Sequence, residues 1–130
     1  MNRYRDWLDQ AHDNLRHAEH SVQAGDHAWA CFAAHQAGEA ALKALHLRWG
    51  QVAWGHSLLD LLSTLPDKAR PQPALLEKAR VLDKYYIPTR YPDAHPAGPA
   101  SRHYAPDEAL QAIGLAREVL AFCENKSLEA

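Results

Sequence analysis

Ala28-Trp29-Ala30-Cys31-Phe32-Ala33-Ala34-His35-Gln36-Ala37-Gly38-Glu39-Ala40-Ala41-Leu42-Lys43-Ala44-Leu45-His46-Leu47-Arg48-Trp49 is the stretch of this 130-residue chain that decides its fold. Alanine is the strongest helix former, and it dominates the run. Trp29, Phe32, Leu42, Leu45 and Leu47 are set among the alanines, so the predicted helix has an unusually broad apolar surface and belongs at the centre of the molecule. Its alanines let neighbouring helices approach closely. Gln36, Glu39 and Lys43 recur at spacings of three and four and form one narrow polar line. Glu39 to Lys43 is the favourable i,i+4 order, and a structural or dimer-interface role is expected for the three residues.

Before this stretch, Leu8, Ala11, Leu15, Ala18 and Val22 lie on one stripe of a first helix that Gly25 ends. After it, Gly50 and Gly55 bracket a short connection, and Ser57 with Asp60 resembles a capping box opening a helix from Leu58 to Leu65. Pro66, Pro71 and Pro73 then break the chain, Pro73 suiting the first turn of a fourth helix with Leu75, Ala79, Leu82 and Tyr86 on one face. Prolines 88, 92, 96 and 99 exclude a long regular helix between Ile87 and Ala100. Pro106, Asp107 and Glu108 open a last helix whose inward stripe is Ile113, Ala116, Leu120 and Cys123. The expectation is an all-α, up-and-down bundle of four to five helices, with one domain over residues 1–124 and a flexible tail at 125–130. Trp29, Trp49 and Trp54 are more aromatic surface than so small a bundle covers alone, which points to a homodimer.

The net charge of −2 excludes a global positive field, so any contact with RNA or nucleotide must be local. Cys31 and Cys123 have no metal-type or CxxC spacing and read as buried reduced thiols, the pattern of a cytoplasmic protein. No apolar run approaches the ~18 residues needed to cross a bilayer, and Met1 to Asp6 is followed by no signal-type apolar region. Neither membrane insertion nor secretion is expected. None of the nine histidines stands at the spacing of a zinc-binding HExxH helix, and His17 and His20 lie on the polar face of the first helix. No metal and no cofactor are expected.

Three segments in order resemble the small stand-alone prokaryotic members of the HEPN (higher eukaryotes and prokaryotes nucleotide-binding) family. They are Ala34 to Leu45, which resembles its Q-A-x-E-x-x-L-K-A-L helix; Gly55-His56-Ser57-Leu58; and Tyr85-Tyr86-Ile87-Pro88-Thr89-Arg90-Tyr91-Pro92-Asp93-Ala94, which resembles its Y-I-P-x-R-Y-P-D-A segment. The resemblance spans about Tyr4 to Phe122. It implies a dimeric bundle that binds nucleotide or RNA, partnered by a minimal nucleotidyltransferase in a toxin-antitoxin-type module. Many members are metal-independent ribonucleases with an R-x4-6-H signature, matched here by Arg90 and His95. In such enzymes the motifs of two subunits face each other across the dimer.

The implied chemistry suits those residue types. Cleavage by the RNA's own 2′-hydroxyl needs a proton acceptor, a proton donor and positive charge on the transition state. Histidine can take either proton role and a guanidinium can hold phosphate bidentately. Arg90 and His95 are thus the candidate catalytic residues, and Arg90, Tyr91, Tyr86 and Lys84 the candidate nucleotide- or RNA-binding set. Tyrosines can stack on bases. In nucleolytic relatives a polar residue usually follows the arginine; here Tyr91 does, and Pro92 and Pro96 put Arg90 and His95 on a loop. A second reading is a non-catalytic helical interaction module. Without the resemblance, Arg90 reads as an ordinary arginine paired with Asp83 or Asp93, His95 as an exposed loop residue, and the tyrosines as packing. Lys78, Arg80, Lys84, Arg90 and Arg102 outnumber Glu77, Asp83 and Asp93, a local preference for anions.

Overall fold

The computed structural model describes residues 1–130 as five α-helices and no strand. They are α1 (Tyr4–Gln23), α2 (His27–Arg48), α3 (Leu58–Ser63), α4 (Pro73–Asp83) and α5 (Pro106–Leu128). Three short 3-10 turns, Asp67–Ala69, Pro92–Ala94 and Ala100–His103, lie in the joints.

α2 is the hub. It packs along α1 and α5 and also touches α3 and α4. All of its alanines are buried, together with Leu42 and Leu45. Small side chains bring the neighbouring backbones close, and Gly38 marks the tightest approach: a Cβ there would stand 2.8 Å from Leu58 Cδ1. Glycine at mid-helix costs about 0.5–1 kcal/mol relative to alanine, and the close seat of α3 on α2 offsets it. Leu8, Ala11 and Ala18 of α1 and Ile113, Ala116, Leu120 and Cys123 of α5 complete the core, as their periodicity predicts.

α3 is short and depends on its cap. The Ser57 hydroxyl accepts from the Asp60 amide at 3.1 Å, half of the predicted capping box. The first-turn amides are met from a different helix. Asp83, the last residue of α4, accepts from the Leu58 and Leu59 amides at 2.7 and 3.1 Å and from the Ser57 hydroxyl at 3.1 Å. It thereby satisfies donors that an α-helix leaves open at its first turn.

Three expected boundaries change, the first being α3, which ends at Ser63 instead of Leu65. α4 stops at Asp83, so Tyr86 is not on its face; the amides of Lys84, Tyr85 and Tyr86 reach back three residues instead of four, a tighter turn that leads to Pro88. Proline at 88 has no N–H for a further helical bond and disfavours helical backbone at Ile87. At the other end, residues 125–128 continue α5 where a flexible tail was expected. No glycine or proline interrupts them, and the Ser127 hydroxyl donates to the Cys123 carbonyl at 2.7 Å.

Cys31 and Cys123 are buried free thiols. Burial, reinforced by Glu108, pushes the Cys31 thiol up to about 12, and burial also raises Cys123. No helix is long and apolar enough to cross a membrane.

Candidate functional site

The three segments that carry the family resemblance are far apart in sequence, and the fold brings them together on one side of α2. Glu39 is almost fully buried on that helix. One of its carboxylate oxygens takes the Lys43 ammonium at 3.1 Å, the predicted i,i+4 pair. The other is 3.0 Å from Nδ1 of His56, from the Gly55 to Leu58 segment. The His56 ring in turn stacks on Tyr86, with centroids 4.7 Å apart and planes 18° from parallel. Tyr86 connects to Arg90 through its backbone carbonyl, which accepts from Arg90 Nε at 3.0 Å and Nη2 at 2.7 Å.

Arg90 follows α4 in an irregular turn, as the prolines require, and is half-buried. Its guanidinium carbon stands 4.3 Å from the centre of the Phe32 ring, 5.0 Å from that of Tyr86 and 5.3 Å from that of Tyr91. Three aromatic rings and one carbonyl therefore hold the cation. Neither Asp83 nor Asp93 lies within ion-pair distance, so the expectation of a simple structural pair is overturned; Asp83 is taken up by α3 and His35. Of the five N–H donors of a guanidinium, only those bonded to Tyr86 have a partner in the chain. Lys84 and Arg102 likewise have no carboxylate partner, whereas Lys78 pairs with Glu118 and Arg80 with Glu77. Lys84 is exposed at the end of α4 and makes no hydrogen bond to Arg90.

His95 comes next, in a bend after the 3-10 turn at Pro92–Ala94. Its Nε2 is 2.7 Å from the Pro88 carbonyl, an acceptor, so Nε2 carries a proton and donates it to that bond. His103 lies flat on it, with centroids 4.2 Å apart and planes 3° from parallel, and its own Nε2 is 2.6 Å from the Ala97 carbonyl. Tyr104 meets His95 edge-on. The approach of the 100–103 turn depends on Gly98, whose φ is +77° and whose missing Cβ would overlap the Arg102 guanidinium. Sequence reading missed His103. The signal was a second histidine between a basic residue and a tyrosine in the same proline-rich segment.

Also unforeseen was the centre beneath the site. His35 is fully buried and joins Gln36 Oε1 at 3.1 Å through Nδ1 and Asp83 Oδ1 at 3.1 Å through Nε2. Burial alone would raise the Asp83 carboxyl, but the bonds from His35, Leu58 and Leu59 outweigh it and hold the group below its ordinary range. Asp83 thus stays charged, and one carboxylate ties α2, α3 and α4 under Tyr86.

Trp29, which is 51% exposed, borders two depressions. On one side is a pocket of about 260 Å3 lined by Thr89, Arg90, Pro92, Ala100 and Ser101. On the other a larger groove runs between α1 and α2. Trp54 is 86% exposed, whereas Trp49 is partly covered against the core. No three His, Cys, Asp or Glu side chains converge as a metal ion would require.

The chain as a whole has counterparts among known families and structures. The model of a family described as HEPN domain matches residues 4–126. The crystal structure of TT1696 from Thermus thermophilus shares 67% identity, covering 97% of this chain and 99% of that one, with a TM-score of 0.95. ST0689, described as an archaeal HEPN homologue, shares 32% identity over 98% of this chain and 99% of its own, at a TM-score of 0.81. A HEPN domain protein of Thermotoga maritima, tm0613, shares 36% identity over 92% of this chain and 95% of its own, at 0.75. No curated protein is similar enough to count as a relative.

Proposed function

The chain belongs to the HEPN domain family, and from that premise we propose that it binds the phosphate of a nucleotide or of RNA at Arg90, as one half of a toxin-antitoxin-type module with a minimal nucleotidyltransferase. The observation that carries this reading is the state of the Arg90 guanidinium. It has no carboxylate, is oriented by the Tyr86 carbonyl and three aromatic rings, and lines a pocket. A cation held this way is preorganised for an anion, because little rotamer freedom is left to lose on binding. Lys84 and Arg102, unpaired in the same segment, add positive potential, and Tyr91 and Tyr86 add surfaces for stacking.

In this reading the protein is a cytoplasmic homodimer with no membrane or cofactor role. Exposed Trp54, Val52 and Ile87 support self-association. The test is fluorescence anisotropy of a labelled single-stranded RNA, comparing wild type with Arg90→Ala. A fall in affinity on the order of tenfold is expected for loss of a charge-assisted phosphate contact. Equal affinity would sink the reading and leave a helical interaction module. Co-purification with an encoded nucleotidyltransferase neighbour tests the partner, and light scattering the dimer.

One observation favours a second reading, the ribonuclease. His95 has a stacked neighbour in His103, each with its Nδ1 unengaged, so acid and base could both be histidines. Arg90 would then clamp the scissile phosphate. Incubating end-labelled RNA in excess EDTA decides it: cleavage to 2′,3′-cyclic ends that His95→Ala abolishes establishes the nuclease, and intact RNA leaves binding alone.

A further inference from the structure

The groove between α1 and α2, about 480 Å3 in volume, is of a size that takes small molecules. Trp7 and Trp29 flank it, both partly exposed, and Phe32, which also lines it, has the Arg90 guanidinium 4.3 Å from its ring centre. Gln36 and Glu39 of α2 supply polar edges to the same space. We propose that this groove seats a nucleobase bearing an exocyclic amine, guanine above the others, with the attached phosphate on Arg90. The proposal rests on the phosphate reading of Arg90 and adds a seat for the base beyond the stacking surfaces of Tyr86 and Tyr91.

Flat, half-exposed indoles suit a flat ligand, because every base offers a π face. Selectivity comes from Glu39. Its carboxylate is an acceptor only, and each oxygen has one partner, Lys43 or His56, with further lone-pair capacity. A base that places N–H groups there gains charge-assisted bonds. Guanine presents N1–H and the N2 amine side by side, the arrangement a carboxylate pairs best. Adenine and cytosine offer one amine. Uracil offers a single N3–H flanked by two carbonyl oxygens that a carboxylate repels, and ranks last. The location also suits a polar line on an otherwise apolar helix: Gln36 and Glu39 border a cleft, and the Gln36 amide nitrogen has no partner in the chain.

The test is quenching of tryptophan fluorescence by guanosine, GMP, uridine and UMP, repeated with unstructured oligouridylate carrying one central G or none. Guanosine should quench, and GMP should bind on the order of tenfold more tightly than UMP, the discrimination expected when mismatched polar edges are left unpaired. Trp29→Ala and Trp7→Ala, both at exposed positions where the fold should survive, should weaken the guanine ligands. A response to GMP identifies a free nucleotide as the ligand; a response only to the G-bearing oligonucleotide identifies RNA, and both support the seat. If guanosine binds and GMP gains nothing over it, the groove stands and the phosphate reading of Arg90 fails. If UMP binds as well as GMP, the groove proposal fails while the phosphate reading survives. If no nucleoside or oligonucleotide quenches and Trp29→Ala turns a dimer into a monomer, the groove is the seat of a second copy of the chain, and the proposal is overturned.

Discussion

The Arg90 guanidinium carbon lies 4.3 Å from the centre of the Phe32 ring, so a residue of α2 orients a side chain that follows α4. Phe32→Leu removes that face and leaves the Tyr86 carbonyl bonds. It should weaken RNA binding about threefold to tenfold, in line with a cation–π contact of roughly 1 kcal/mol. Arg90→Lys should cost at least as much, since an ammonium cannot reproduce the fork. Anisotropy titrations of both variants check this; unchanged affinity in Phe32→Leu would mean that the ring does not position the cation.

Asp83 gives the fold an acid limit. Its carboxyl is held below the ordinary range when folded, while the unfolded chain takes up a proton near ~3.9. Its stabilisation is therefore complete at neutral pH, begins to drain as pH falls past about 4, and is gone below the folded-state value. Asp83→Asn should cost about 2 kcal/mol at pH 7, as expected for a helix cap whose acceptor is charged. The variant should also flatten the acid limb of a urea-denaturation series between pH 7 and 3. An equally steep limb in Asp83→Asn would assign acid sensitivity to another group.

Glu39 is the least exposed carboxylate of the site, and its partners differ in exposure, with side-chain accessibilities of 16% for Lys43 and 55% for His56. Removing the better-buried partner should matter more. Lys43→Met is expected to destabilise by about 1–2 kcal/mol, less than a fully buried pair because water still reaches the ammonium. His56→Ala should cost less stability but loosen Tyr86. Chemical denaturation of the two single variants and the double variant would expose any coupling.

Both thiols should be silent in the native protein. With Cys31 pushed up to about 12 and both residues buried, little thiolate forms at pH 8, and a disulfide-exchange reagent should label neither until the chain unfolds. Stoichiometric labelling of the folded protein within minutes would contradict the packing of α2 against α5.

The helices were legible because their signals are local. Alanine content, a period of 3.6 and proline punctuation operate within a few turns, and α2 shows all of its alanines buried. What was not legible depended on distance. His35 meets Asp83 across 48 positions, and no single sequence shows that a histidine among alanines has a carboxylate waiting for it. That same pairing draws Asp83 onto α3 and leaves Arg90 without the carboxylate partner suggested by proximity in sequence. The loop at Arg90 and His95 followed from the prolines, yet the facing His103 required the Gly98 bend, which nothing in the spacing announces.

The near-parallel stack of His56 on Tyr86 makes the site its own spectroscopic reporter. The imidazole carbon-bound protons lie within the shielding cone of the phenol ring, so their resonances should appear displaced upfield of ordinary histidine signals. Any occupant that reorients Tyr86 must move them, which gives a view of the site that no fluorophore or label has to disturb.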